Sequence, residues 1–151
     1  MFLADQLAKY YVDIKDKRYV SAVSLVHQRF STNTFPSWRL AQPFRYLCHN
    51  GEINTLKGNK NWMAAHEPRM EHKNFGNNVD DLKPIIDAKA SDSAALDSTI
   101  ELLVKANRSL PMAKIITIPE AWSHRRDFPK KIKDLYDIIK SAVPKIKSVV
   151  T

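Results

Sequence analysis

From His27 to Met63 the chain reads HQRFSTNTFPSWRLAQPFRYLCHNGEINTLKGNKNWM, which suits neither a solvated loop nor a buried strand. Arg29, Ser31, Thr32, Asn33, Asn50, Gly51, Glu52 and Asn54 bring groups able to do chemistry. Phe30, Phe35, Trp38, Phe44, Tyr46 and Ile53 stand between them. A loop in water has no use for so many aromatic side chains. A core strand has no use for so many amides, each of which costs about 1–3 kcal/mol when buried without a partner. The pattern predicts a site whose polar groups are held in place by apolar neighbours.

Local structure follows from the same stretch. Val20–Phe30 is rich in valine and small residues and predicts a mostly buried strand, ended by Ser-Thr-Asn-Thr and Pro36. Phe44–His49 predicts a second strand, with Phe44, Tyr46 and Cys48 on one face and Arg45, Leu47 and His49 on the other. Asn50-Gly51 predicts a tight turn, since both residues accept positive φ cheaply. Asn54 or Thr55 then caps a helix through Trp62, Met63 and Ala64 to about His66, stopped by Pro68. Asn-Gly is also a hairpin signal. Because a helical pattern follows it here, strand–turn–helix is the expectation.

Elsewhere the apolar spacing of Leu3, Leu7, Tyr10 and Tyr11 predicts a short helix over residues 3–13. Residues 69–90 are mixed and polar and suit a surface loop with a short helix. Ser91 or Asp92 caps a strongly periodic helix in which Leu96, Ile100, Leu103 and Val104 share one face, ending near Asn107. Leu110–Ile118 is an apolar segment broken by Pro119, and Lys130–Val143 predicts a final amphipathic helix. There are no repeats and no low-complexity linker, so a single domain is expected.

Composition narrows the functional classes. The chain of 151 residues carries a net charge of +8, densest in HRRDFPKKIKDLYDIIKSAVPKIK, where basic and apolar residues alternate. That alternation suits a solvated helix face better than a nucleic-acid footprint. Only three glycines also argue against a phosphate-cradling loop. The one cysteine, Cys48, forms no internal disulfide, which suits a reducing cytoplasm, and it reads as a small core residue. No apolar run reaches the length of a membrane span, and Met1–Asp5 lacks the pattern of a secretory leader. His27, His49, His66, His72 and His124 show no metal-ligand spacing, and His66 and His72 read as surface residues. Trp38 and Trp62 read as packing residues, and Glu52 as a residue that orients the turn before it.

Three positions carry competing chemistries. Arg29 suits a bidentate clamp on a carboxylate or, equally, a structural ion pair. Asn50-Gly51 offers an amide donor and an unhindered backbone N–H, the parts of an oxyanion hole, though a plain turn accounts for the dipeptide. Asp92 suits a substrate ammonium, though capping its own helix accounts for it.

Taken together, HQRFSTNTFPSW, FRYLCHNGEINTLKGNKNWM, SDSAALDSTIELLVKANRSLP and IPEAW resemble the glutaminase domain of the glutamate synthase large subunit. That domain is a class II glutamine amidotransferase of the N-terminal nucleophile hydrolase fold. The resemblance implies an α+β protein, an incomplete αββα sandwich of two antiparallel sheets between helical layers. It places this partial domain at residues 1–122, with 123–151 as a divergent basic helical tail. It implies that Arg29 binds the α-carboxylate of glutamine, Asp92 its α-ammonium, and that Asn50 and Gly51 form the oxyanion hole. The implied nucleophile is an N-terminal cysteine whose own amine acts as base. This sequence starts Met1-Phe2, and Cys48 has no amine beside it. The expectation is therefore an internal fragment, inactive alone, of a domain that supplies ammonia for glutamate formation from 2-oxoglutarate. Its partners would be glutamine and the remaining glutamate synthase domains or subunits, with no nucleic acid, no membrane and no metal. The FMN and iron–sulfur cluster of the parent would lie in regions absent from this sequence. A non-catalytic, glutamine-binding remnant and a basic nucleic-acid-binding protein are the alternatives.

Overall fold

The computed structural model describes residues 2–27, 35, 37–120 and 127–142, with Lys140 and Ala142 as backbone only. The chain divides into two compact units, residues 1–41 and 42–151. In the first unit, the 3-10 turns Ala4–Gln6 and Val12–Lys15 flank α1, Leu7–Tyr10, in place of one continuous helix over 3–13. The Gln6 side chain accepts the Leu3 N–H at 3.1 Å and fastens the first turn. The rings of Phe2, Tyr10 and Tyr11 group together, with centroids 4.4 to 6.4 Å apart. Asp16 grips Arg18 through both carboxylate oxygens, at 2.6 to 3.1 Å.

The strand expected at Val20–Phe30 does not form over its described residues, 20–27, and residues 28–30 lie outside the described set. Val20, Val23 and Val26 are largely exposed. A strand satisfies its N–H and C=O groups only through a neighbouring strand. Here the Val20 N–H turns back onto the Arg18 carbonyl at 3.0 Å. Phe35 and Trp38 are likewise exposed, contrary to their expected packing role.

The second unit is built on helices α2, Leu56–His66; α3, Asp92–Lys105; α4, Leu110–Thr117; and α5, Lys130–Ala142. Ser91 caps α3, its hydroxyl accepting the Ala94 N–H at 3.1 Å. The helix ends in a left-handed residue, Asn107, at φ 64°. There the Asn107 N–H reaches the Val104 carbonyl and the Arg108 N–H reaches the Leu103 carbonyl, each at 3.0 Å. This paired closure satisfies two carbonyls that a helix end would otherwise leave open. Ser109 caps α4, and Pro111 fits its first turn, where no N–H is needed.

Leu96 and Ile100 of α3 bury against Ala113 of α4 and Ile53, with Tyr46, Leu47, Leu103, Val104 and Ile118 around them. Ala113 and Thr117 are wholly buried, and the Thr117 hydroxyl is spent on the Ala113 carbonyl at 2.8 Å. A residue without side-chain bulk at 113 lets the helices approach closely. Trp62 on α2 is 44% exposed, so it is not the packing residue expected. Within residues 69–90 a 3-10 turn, Gly76–Leu82, buries Val79.

Among the described residues there is no strand; Ile53 alone holds an isolated bridge. Phe44–His49, expected as a strand, instead lies along α3. The Phe44 N–H bonds the Leu47 carbonyl at 2.9 Å, which closes a turn inside the supposed strand. The Arg45 and Tyr46 N–H groups donate to the Asp97 carboxylate at 3.4 and 2.8 Å. Side chains of a helix therefore take the bonds that a neighbouring strand would have made. The alternation of faces is lost too: Tyr46 and Leu47 both pack on the core, and Cys48 is exposed rather than a core residue.

Candidate functional site

Four polar contacts run in opposite chain directions along the segment and the helix. Arg45 meets Glu101 through one guanidinium nitrogen at 2.6 and 2.7 Å, Tyr46 meets Asp97, His49 meets Ser93, and Ile53 meets Asp92. As the segment advances from 45 to 53, its partners step back from 101 to 92, about 14 Å of helix at about 1.5 Å per residue. Ser93, Asp97 and Glu101 are spaced four apart and form one polar stripe beside the apolar face. The carboxylate of Glu101 raises the Arg45 guanidinium pKa above its ordinary value, chiefly through the hydrogen bonds.

The Asn50-Gly51 turn lies at the N-terminal end of this pairing and is clasped on both sides. Before it, His49 Nε2 is 2.7 Å from the Ser93 hydroxyl, and the His49 N–H donates to Gln42 Oε1 at 2.8 Å. After it, the Ile53 N–H donates to Asp92 Oδ2 at 3.1 Å. Asn50 is exposed and Gly51 half-buried, and neither the Asn50 amide nor the Gly51 N–H has a partner among the described residues. Among the described residues the left-handed positions are Gly76 and Asn107, so positive φ at Asn50-Gly51, the basis on which the turn was expected, is not seen.

Asp92 is not the cap of its helix; Ser91 is. Its Oδ1 accepts the Ser93 N–H at 2.7 Å and the Ser93 hydroxyl at 3.3 Å, while Oδ2 accepts the Ile53 N–H. A carboxylate has about four acceptor positions, so a further donor still fits. The half-buried carboxylate sits in the first turn of α3, where the helix dipole favours negative charge. Arg29 lies outside the described residues.

Sequence reasoning missed Asp97, His49 and Ser93. The available signal was an acidic residue, Asp97, on the buried side of an otherwise apolar helix, four residues from both Ser93 and Glu101. Lys60 was missed too. Its ammonium donates to the carbonyls of Ala88 and Ala90 at 2.9 and 2.8 Å and braces the approach to α3. An open depression along residues 68–83 shares no residue with the turn. No helix among the described residues is long and apolar enough to cross a membrane.

The start of α3, bearing the acid Asp92, is thus pinned to an Asn-Gly turn whose amide donors have no partner among the described residues. The chain belongs to the class II glutamine amidotransferases, whose family model matches residues 1–144. Among its relatives, the large chain of NADPH glutamate synthase from Azospirillum brasilense is 51% identical over 143 residues, 95% of this chain and 9% of that one. The NADH glutamate synthase of Schizosaccharomyces pombe is 50% identical over 133 residues, covering 87% and 6%. The chloroplastic ferredoxin-dependent glutamate synthase of Spinacia oleracea is 41% identical over 144 residues, covering 93% and 9%. The chain thus spans about a tenth of the length of the curated relatives it matches, or less.

Proposed function

We propose that this chain is part of the glutamine-hydrolysing domain of a cytoplasmic glutamate synthase, supplying ammonia for glutamate formation from 2-oxoglutarate. The observation that carries the reading is the clasp of the Asn50-Gly51 turn onto the start of α3. It sets two amide donors, without partners among the described residues, within three residues of the Asp92 contact. In this reading Asp92 takes the α-ammonium of glutamine and Arg29 its α-carboxylate. The side-chain carbonyl oxygen then faces the Asn50 amide and the Gly51 N–H. A thiolate adding to the amide carbon drives charge onto that oxygen, and each donor stabilises the tetrahedral species by about 3 kcal/mol. Collapse expels ammonia, and water releases glutamate from the thioester.

The thiol is the N-terminal cysteine of the family resemblance. Cys48 is no substitute, being exposed on the segment that leads into the turn. The αββα sandwich is the fold this reading expects of the whole domain. The first boundary, at residue 122, is the one the motif resemblance suggests; the family match to residue 144 supports counting all of α5 with the same domain. An iron–sulfur cluster takes four thiolates. One cysteine does not fit that group, so in this reading the cluster belongs with other domains or subunits of the synthase, which are this chain's proposed partners, and the resemblance assigns FMN to them as well.

The test is a glutamine titration of the 151-residue chain followed by amide NMR. Charge-assisted contacts at Arg29 and Asp92 contribute roughly 1.5–3 kcal/mol each, against several kcal/mol of lost freedom, so millimolar affinity is expected. The shifts should centre on Asn50, Gly51 and Ile53 and vanish in Asp92→Asn. Glutamine-independent spectra up to saturating ligand would reject the reading.

A further inference from the structure

We propose that His49 is a positioning residue for the oxyanion turn, acting through Ser93. The proposal rests on the glutamine-site reading above and adds to it a residue that touches no substrate. His49 Nε2 lies 2.7 Å from Ser93 Oγ, and Ser93 Oγ lies 3.3 Å from Asp92 Oδ1. His49 Nδ1 is buried and has no hydrogen-bond partner among the described residues. Those three facts fix the direction of the hydrogen bonds. The Ser93 hydroxyl has one proton, and the carboxylate beside it can only accept. Ser93 therefore donates to Asp92 and accepts from an Nε2–H of His49, which leaves Nδ1 as a bare acceptor. The reverse tautomer would bury an N–H with no acceptor, the costlier arrangement.

The relay thus runs ring N–H to hydroxyl to carboxylate, and its two ends are the residue before Asn50 and the proposed ammonium ligand. Asp92 closes the loop by accepting the Ile53 N–H on the far side of the turn. The oxyanion donors and the ammonium ligand are therefore held in one fixed frame, and a loose His49 would let them drift relative to each other. Small misplacements of this kind weigh heavily on positioning.

The chemistry of the relay supplies its own control. Glutamine places its side-chain nitrogen where Nε2 of histidine lies, and asparagine places its nitrogen where Nδ1 lies. The experiment compares His49→Gln, His49→Asn and Ser93→Ala in the 151-residue chain. It reads the Asn50, Gly51 and Ile53 amide signals without ligand, then the glutamine titration. His49→Gln should stay within about twofold of wild type in affinity. His49→Asn and Ser93→Ala should broaden the turn amides and weaken glutamine binding by about tenfold, the effect of one lost hydrogen bond. Ile100 amide signals should be unchanged in all three, which separates loss of the clasp from loss of the fold. Equal behaviour of His49→Gln and His49→Asn, or an undisturbed turn in Ser93→Ala, would overturn the proposal. A wild-type chain that ignores glutamine while the turn amides respond as described would reject the substrate reading and leave the clasp standing.

Discussion

Asp97 is the residue on which the placement of the turn segment depends most. Its carboxylate is buried, and among the described residues no cation forms an ion pair with it; it is satisfied by the backbone N–H groups of Arg45 and Tyr46. Removing it strands two donors, each worth about 1–3 kcal/mol when left unsatisfied. Asp97→Ala should lower stability by about 2–4 kcal/mol in urea denaturation, and Asp97→Asn, which keeps one acceptor oxygen, by clearly less. Asp16 is a contrasting acid on the surface. The Arg18 guanidinium, by hydrogen bonding, holds its carboxyl below the usual carboxylate range. Because the folded value is depressed, the pair contributes in full above the unfolded pKa, and that contribution is lost progressively as the pH falls through the folded one. An NMR titration should find the Asp16 midpoint below that of an ordinary aspartate, and Arg18→Ala should return it upward.

At the scale of elements, helices were legible and strands were not, for a physical reason. A helix pairs its own backbone, so a cap, a period and a stop suffice to announce it. Ser91, the apolar face of α3 and the Asn107 stop do so, and the helix over Leu56–His66 also ends where Pro68 implied. A strand is defined by a partner the sequence does not name. Phe44–His49 has the composition of a strand, but the groups that receive its N–H bonds are the Asp97 oxygens, the Gln42 side chain and its own Leu47 carbonyl. Leu110–Ile118 was apolar without a readable period, and its helix rests on the Ser109 cap and burial against α3. Of the proposed site, Asn50, Gly51 and Asp92 were nominated from motifs, whereas the clasp between the turn and α3 could not be, because Ser93 and His49 are unremarkable singly. The left-handed Asn107 gives a test at this scale. Asn107→Gly should be neutral or stabilising, and Asn107→Val should cost about 1–2 kcal/mol through the Cβ clash, read as a shift in thermal midpoint.

For a polypeptide of these 151 residues taken by itself, the expected outcome is recognition without turnover. A polypeptide of these 151 residues has one cysteine, and that residue carries no neighbouring amine. Purified, it should release no glutamate from glutamine in a coupled assay, whereas steady release abolished by Asp92→Asn would contradict this. The pairing of residues 45–53 with 92–101 also governs the order of folding. The α3–α4 hairpin closes locally, but the Tyr46 and Ile53 contacts join residues 51 and 39 apart. The first such contact has a loop-closure entropy of about 3 kcal/mol, and each later one adds only a few residues of chain. The segment should therefore dock late and in a single step, like a zip that is either shut or open. Hydrogen exchange would show this as one common opening free energy for the Tyr46 and Ile53 amides, below that of the Ile100 amide in the middle of α3.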